Sequence, residues 1–336
     1  MNILFTCAGR RNYLLNFFKE ELKGNGLIMA ADMQMSAPAM AVADKIFLVQ
    51  PVYSEGYIEG LVKICQENKI NALISLNDLE LPLLSKHKAD FAKVGTRVII
   101  ADSAAIDISF DKKRTIEFAN SIGIKTPKTY TNYNEAIAAI EHRELSFPLV
   151  VKPRWGSASI GLEFPINQEE LELAFRLLKL RLGRTMLAQA SKSDFENAIL
   201  IQEKIEGIEY GIDILNDFNG KTQQVYVKEK LAMRAGETDK SVLREKPLIE
   251  AIGFKIGNTL NHIGNLDCDV FEKDDEYYLL EMNPRFGGGY PFTHYSGGNY
   301  VKAIIAWLNG ENYESYNFKK DYANSYSKCD TLIKVL

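Results

Sequence analysis

The chain of 336 residues contains four cysteines and four histidines, and neither set clusters. Cys7, Cys65, Cys268 and Cys329 form no CxxC pair, which excludes a zinc knuckle or disulfide framework and fits a reduced, cytoplasmic setting. His87, His142, His262 and His294 are too scattered for a metal cluster. No apolar run approaches the roughly 18 residues of a membrane helix, and MNILFTCAG lacks the basic start and apolar core of a signal peptide. Charge of one sign is also missing. Lys+Arg 40 against Asp+Glu 44 gives −4, with no basic footprint for nucleic acid or an anionic membrane, so an anionic ligand must be met locally. With 46% hydrophobic and 25% charged residues, the composition is globular, and the length suits two or three lobes.

The first hundred residues alternate short apolar runs with amphipathic stretches. Strands are expected at ILFTCAG (3–9), GLIMAAD (26–32), ALISLND (72–78) and RVIIAD (97–102). Helices are expected at RRNYLLNFFKEELKG, EGYIEGLVKICQENK and from about Leu79 to Lys93. This alternation implies βαβ units, a parallel sheet and a Rossmann-like lobe. The Ala8-Gly9-Arg10 turn lacks G-x-G-x-x-G, so a scaffold role outweighs a dinucleotide site even with Asp32 ending the second strand.

From Asp111 the pattern changes. A helix (DKKRTIEFANSIG), the segment IKTPKTY, a second helix (NEAIAAIEHRE), a strand (FPLVVKP, 147–153), the loop RWGSASIG and a helix (EELELAFRLLKLR) precede the strand ILIQEKI (199–205). Paired strands IEYGIDIL and QQVYVKEKLAM follow, then a helix at about 245–263 and a hairpin, NLDCDVFE and YYLLEM, turning at KDDE. A helix from Tyr300 to Leu308 comes next, and the final apolar run reads as a strand completing a sheet or a dimer edge.

Two constellations carry chemistry. Lys152 ends an apolar strand ahead of Gly156, Ser157, Ser159 and Gly161, where backbone N–H groups and hydroxyls can approach phosphate; a hairpin turn with a solvated lysine is the competing reading. Asp269 and Glu281 fall across from one another if their segments pair about KDDE. Two carboxylates in an apolar hairpin must share a proton or a cation, and Mg2+ suits their oxygens. Asn283, Arg285 and the glycines that follow make a polar, close-approach loop.

The ordered set of a D-K helix, GIKTP, FPLVVKP, a small-residue loop, LIQEKIEGIEYGIDI and LLEMNPRFGGGYP resembles the ATP-grasp superfamily, which holds ATP between two α+β lobes. ILFTCAGRRNYL, VADKIFLVQP, YIEGLV and NDLELPLL resemble the pre-ATP-grasp domain of its carbamoyl-phosphate-synthetase-like subgroup. The fold class implied is α/β and α+β: a Rossmann-like pre-ATP-grasp lobe (1–110), two ATP-grasp lobes (111–200 and 201–310) and a C-terminal extension (311–336).

The resemblance implies that Lys112 and Lys152 hold nucleotide phosphates, with Lys113 competing for the first position, and that loop 156–161 covers them. It places Gln202, Glu203, Lys204, Ile205 and Glu206 at the adenine hinge and Glu209 on the ribose. Asp269, Glu281 and Asn283 become ligands of Mg2+ or Mn2+, with Asp267 an alternative first ligand, and Arg285 touches phosphate or acyl substrate. Catalytic roles fall to Arg285, Lys152 and Asn283.

On the substrate side stand Arg234, Arg285, Gly287 and Gly288. A surface salt bridge competes for Arg234, and Arg244 is the weaker candidate of the two arginines. Asn77, Asp78 and Glu80 lie at the carboxyl edge of the parallel sheet, where they line a cleft or cap a helix, and for His294, which follows the glycine loop, a substrate contact is the minor reading.

The expected activity is an ATP- and Mg2+-dependent carboxylate–amine ligase acting on small molecules through an acyl phosphate, in a homodimer. Activation of bicarbonate or carbamate, and a non-catalytic ATP-binding module, are the alternatives.

Overall fold

The computed structural model describes residues 1–156, 161–185, 187–314 and 317–335. Five parallel strands open the chain: β1 (Ile3–Thr6), β2 (Ile28–Asp32), β3 (Lys45–Leu48), β4 (Ala72–Ser75) and β5 (Arg97–Val98), in the order β3-β2-β1-β4-β5. Every residue of β1, β2 and β4 is buried, which is why these strands read as continuous apolar runs rather than alternations. β3 is an edge strand, mostly exposed, and the short helix Pro38–Val42 leads into it.

Two expectations need correction here. The helix from about Leu79 to Lys93 is two, Leu81–Lys86 and Lys88–Lys93, broken at His87, whose ring takes Asp90 as a partner at 3.0 Å. RVIIAD pairs only over Arg97–Val98 before the chain turns into the helix Ser103–Phe110.

A three-stranded antiparallel sheet follows, of β6 (Thr129–Tyr130), β7 (Leu149–Pro153) and β8 (Ile199–Glu203), ordered β6-β8-β7. The helices Tyr133–Glu141 and Gln168–Leu182 supply its apolar cover. The third sheet is antiparallel: β9 (Ile208–Asn216), β10 (Thr222–Arg234), β11 (Glu237–Leu243), β12 (Gly264–Lys273), β13 (Glu276–Asn283) and β14 (Ser325–Ser327), ordered β13-β12-β9-β10-β11-β14.

The helix Pro247–Leu260 lies directly on this sheet because Gly253 and Gly257 bring it close; a Cβ on Gly253 would stand 2.6 Å from Val225. The strand completing the sheet edge is the polar Ser325–Ser327, not the apolar run after it, where Leu332 is fully exposed. β11 itself was not anticipated in the stretch 231–245.

The first lobe does not close on itself. Helix Asn12–Leu22 buries Leu14, Leu15, Phe17 and Phe18 in a cluster shared with Phe286, Tyr290, Tyr300, Val301 and Ile304, and Asn299 bonds Glu21 at 2.5 Å. Burial of this shared apolar face helps to join the lobes. Among the described residues no helix is long and apolar enough to cross a membrane.

Candidate functional site

Two cavities meet where β12 and β13 pair. The register sets Asp269 opposite Glu281 and Asp267 opposite Asn283, so the hairpin does bring the two acids together. A cavity of about 450 Å3 runs from this floor between the two antiparallel sheets, past Lys112, Lys152, Glu209 and Gln202 to Ile205. A second, of about 370 Å3, runs from the same floor toward the carboxyl ends of β1 and β4.

In the first cavity Lys152, at the end of buried β7, is lowered to about 8 by burial. Lys112 opens the helix Lys112–Ser121, donates to the Gly156 carbonyl and stands 3.8 Å from Glu281. Its neighbour Asp111 caps that helix and receives Arg154 through two bonds of 2.6 Å, which ties the helix start to the end of β7. Lys113 donates its backbone N–H to that cap, and Lys112, not Lys113, faces the cavity.

Gln202 donates to Thr129 at 2.7 Å, and its carboxamide oxygen is buried with no partner among the described residues. Glu203, Lys204 and Ile205 also line the cavity; Glu206 pairs on the surface with Lys204 at 3.3 Å and does not.

At the shared floor, burial raises Asp269 to about 7 against the pull of Lys230, with Glu281 and Glu209 adding repulsion. Burial also disfavours the charged Glu281, but Lys112, Lys152 and Lys230 outweigh it and hold the carboxyl below its ordinary range. Asn283 donates to Glu281 at 3.4 Å. Lys230 lies 2.6 Å from both Asp269 and Glu209, and these acids overcome burial to hold it above the ordinary lysine value.

In the second cavity Arg285 is buried and already engaged. It donates to Asp78 at 2.7 and 3.1 Å and lies 3.6 Å from Asp267. Asp267 is raised, first by burial and then by Asp213. Lys228 pairs with buried Asp213, which also accepts from Thr293. Gly287 and Gly288 are needed for space: a Cβ would come within 2.1 Å of the Asp267 carboxylate at the first and 2.8 Å of Glu237 at the second. Gly288 lines the cavity, and Gly287 leaves room for Asp267, which lines it too.

Some anticipated residues stand elsewhere. Arg234 is half-exposed, pairs with Asp239 at 2.8 Å and Asp330 at 2.6 Å, and lines neither cavity. Arg244 pairs with Glu229 at 2.5 Å. His294 stacks on Phe17 with ring centroids 3.8 Å apart, and burial lowers it to about 4. Glu80 is buried in the first lobe among Thr6, Ser75 and Tyr57, whereas Asn77 and Asp78 do reach the second cavity. Gly161 packs against Leu178 and Pro153 outside the cavity lining, and Ser157 and Ser159 lie outside the described residues.

Sequence reasoning missed Lys228, Lys230, Arg10, Arg11 and Glu237. The lysines had a signal: two apart in QQVYVKEKLAM, they share one face with buried Tyr226 on a strand that also buries Val225 and Val227, where unpaired ammonium groups would be costly.

Residues 3–99 match a family described as the PylC-like N-terminal domain, and residues 195–329 one described as ATP-grasp in the biosynthetic pathway with Ter operon. The carbamoyl phosphate synthase large chain of Vibrio vulnificus (strain CMCP6) is 23% identical over 288 residues; the match covers 80% of this chain and 25% of that one. The chain therefore spans about a quarter of that relative's length.

Among solved structures, the biotin carboxylase domain dimer of Hydrogenobacter thermophilus 2-oxoglutarate carboxylase, in complex with MgADP, ADP and bicarbonate, aligns with a TM-score of 0.74 at 17% identity, covering 95% of this chain and 72% of that one. The L-amino acid ligase of Bacillus licheniformis aligns with a TM-score of 0.68 at 17% identity, over 96% of this chain and 78% of that one. At such identities the likeness is one of fold.

Proposed function

We propose, from the premise that the chain belongs to the ATP-grasp superfamily, that it is an ATP- and Mg2+-dependent ligase joining a carboxylate to an amine through an acyl phosphate, with release of ADP and phosphate. The observation that carries this reading is the common floor: Asp269 and Glu281 line both cavities, so a phosphoryl group held at the end of one faces whatever occupies the other.

The donor set fits Mg2+. Asp269, Glu281 and Asn283 offer oxygen on facing strands, and two carboxylates with an amide leave room for phosphate oxygens and water, the usual division for this ion. When bound, Mg2+ supplies neutralisation of charge on the β- and γ-phosphates. Lys112 and Lys152 hold those phosphates from the facing lobe. The backbone of Gln202 to Ile205 meets the adenine edge, the free Gln202 oxygen gives it an additional acceptor, and Glu209 takes the ribose.

The substrate carboxylate attacks the γ-phosphorus in line and ADP departs. The amine then attacks the acyl carbon, phosphate leaves, and nitrogen loses a proton. Arg285, fixed by Asp78 and Asp267, stands where charge develops on the transferring group. No protein nucleophile is needed, and the chain contributes placement and charge.

Bicarbonate, the anion named with the Hydrogenobacter structure, is the other carboxyl donor to assay, since the second cavity has room for it beside an acceptor. The reading includes a homodimer, which light scattering checks. The principal test is ADP release across a panel of carboxylates and amines, with hydroxylamine present to trap acyl phosphate as hydroxamate. Hydroxamate with one carboxylate supports the ligase; ATP binding without release across the panel replaces it with a regulatory module.

A further inference from the structure

Among the described residues five line both cavities: Gly156, Met233, Gly236, Asp269 and Glu281. The two acids are the floor, and the glycines offer only backbone. Of the five, Met233 alone brings a side chain that is not acidic, and that side chain is apolar.

Its place depends on an irregularity in β10. Lys228 and Lys230 line the second cavity, so strict alternation would put Ala232 and Arg234 on that face and turn Met233 away. The pairing with β11 slips instead. Lys230 pairs with Ser241 and Ala232 with Lys240, which leaves Leu231 as an extra residue, and the next pair, Met233 with Thr238, skips Asp239. Met233 and Thr238 both line the second cavity, while Arg234 is left on Asp239 and Asp330. Bulges beside sites re-aim side chains, and this one exchanges a guanidinium for a thioether.

The exchange has a chemical sense. A guanidinium over Asp269 and Glu281 would pair with them and bring its own hydration, whereas a thioether does neither. Met233 is also 46% exposed, a large apolar side chain in surroundings dominated by charge. Ligands filling both cavities would cover it.

We infer that Met233 is the apolar cover over the point of phosphoryl transfer and keeps water from the acyl phosphate. The inference rests on the ligase reading, which supplies that intermediate. Where water reaches it, the water oxygen bonds to phosphorus, the P–O bond to the acyl group breaks, and carboxylate, inorganic phosphate and one proton leave. The net change is ATP hydrolysis without amide, the side reaction that a water-excluding site prevents.

Two measurements on the full chain test this. The first needs no turnover: hydrogen peroxide converts methionine to the sulfoxide, read residue by residue by peptide mass spectrometry. Mg2+ with β,γ-methylene-ATP should slow oxidation of Met233 at least about fivefold, with exposed Met35 as the reference. The second uses MgATP, hydroxylamine and, one at a time, the carboxylates of the panel, acetate, lactate, succinate, citrate and L-glutamate among them. The wild-type chain should form hydroxamate and ADP in near-equal amounts with at least one carboxylate. Met233→Ala and Met233→Gln should each release about tenfold more ADP per hydroxamate, and Met233→Leu should keep the wild-type ratio. A loss of folded protein lowers both products together and leaves this ratio alone.

Unaltered ratios in both variants overturn the inference, as does oxidation of Met233 that is indifferent to the nucleotide. Wild-type hydroxamate with unaltered ratios sinks the inference alone. Nucleotide protection of Met233 with no hydroxamate across the panel sinks the ligase reading, and the cover then loses the intermediate assigned to it.

Discussion

The two cavities share a floor but are built from different materials. The first has apolar walls, among them Val150, Leu162, Phe271 and Leu280, with cations concentrated at its inner end, as a flat base and a polyphosphate tail require. The second is a chamber of opposed charges in which Arg10, Arg11, Lys228 and Arg285 face Asp78, Glu237 and Asp267. An apolar slot ranks ligands by shape and area. A balanced charged chamber ranks them by where their charges sit, and each internal ion pair must be kept or replaced when a ligand enters.

The comparison is broken most severely at the joint between the cavities. Lys230→Met should leave Asp269 and the partly exposed Glu209 without their cation and cost about 1–3 kcal/mol of stability, read by denaturant unfolding. A loss below about 1 kcal/mol would show that Lys230 is not the link. Glu281→Gln, at the shared floor, should reduce Mg2+-dependent ADP release at least about 100-fold with an unchanged circular dichroism spectrum. Unaltered turnover would remove it from the metal site.

Asp78→Asn separates the halves. Freed from its anchor, Arg285 should lose roughly 10–100-fold in the KM of the second-cavity substrate while the KM for ATP stays put. Equal losses in both would mean that the cavities are not separable.

Titration sharpens the first cavity. Lys152, lowered to about 8 chiefly by burial, is charged below that value, so nucleotide affinity should fall by about tenfold per pH unit above it, and Lys152→Met should flatten this limb. Stability responds with the opposite sign. The unfolded chain keeps this proton up to about 10.5 while the folded chain has released it, so this group's contribution rises between pH 8 and 10.5. The smallest effect is expected at Asp330→Ala, an exposed partner of Arg234, where neither the unfolding midpoint nor turnover should change measurably.

The same contrast explains what could be read in advance. The first cavity is written locally: Lys152 closes an apolar strand, Lys112 starts a capped helix, and the KDDE turn sets the register that faces Asp269 with Glu281. The parallel sheet was legible because β1, β2 and β4 are buried on both faces and read as apolar runs, whereas the equally apolar Ile46-Phe47-Leu48 of β3 lies mostly exposed at the edge and was not anticipated as a strand. The second cavity draws Arg10, Asp78, Glu237 and Arg285 from segments that only tertiary folding joins, and no spacing announces such a set. Arg234 shows the converse: its place after an apolar strand suggested a substrate contact, but Asp330, about a hundred residues on, claims it.

The face of the helix Asn12–Leu22 has a consequence for how the protein is made. Phe17 lies against His294, Tyr290 and Tyr295, partners encoded more than 270 residues later. At 5–20 residues per second, a ribosome leaves that aromatic surface without its cover for roughly 15–55 s after the helix emerges. The first sheet can pair its strands in that interval, but it carries a sticky face until the far end of the fold arrives, so the helix is a natural point for a chaperone to hold the growing chain.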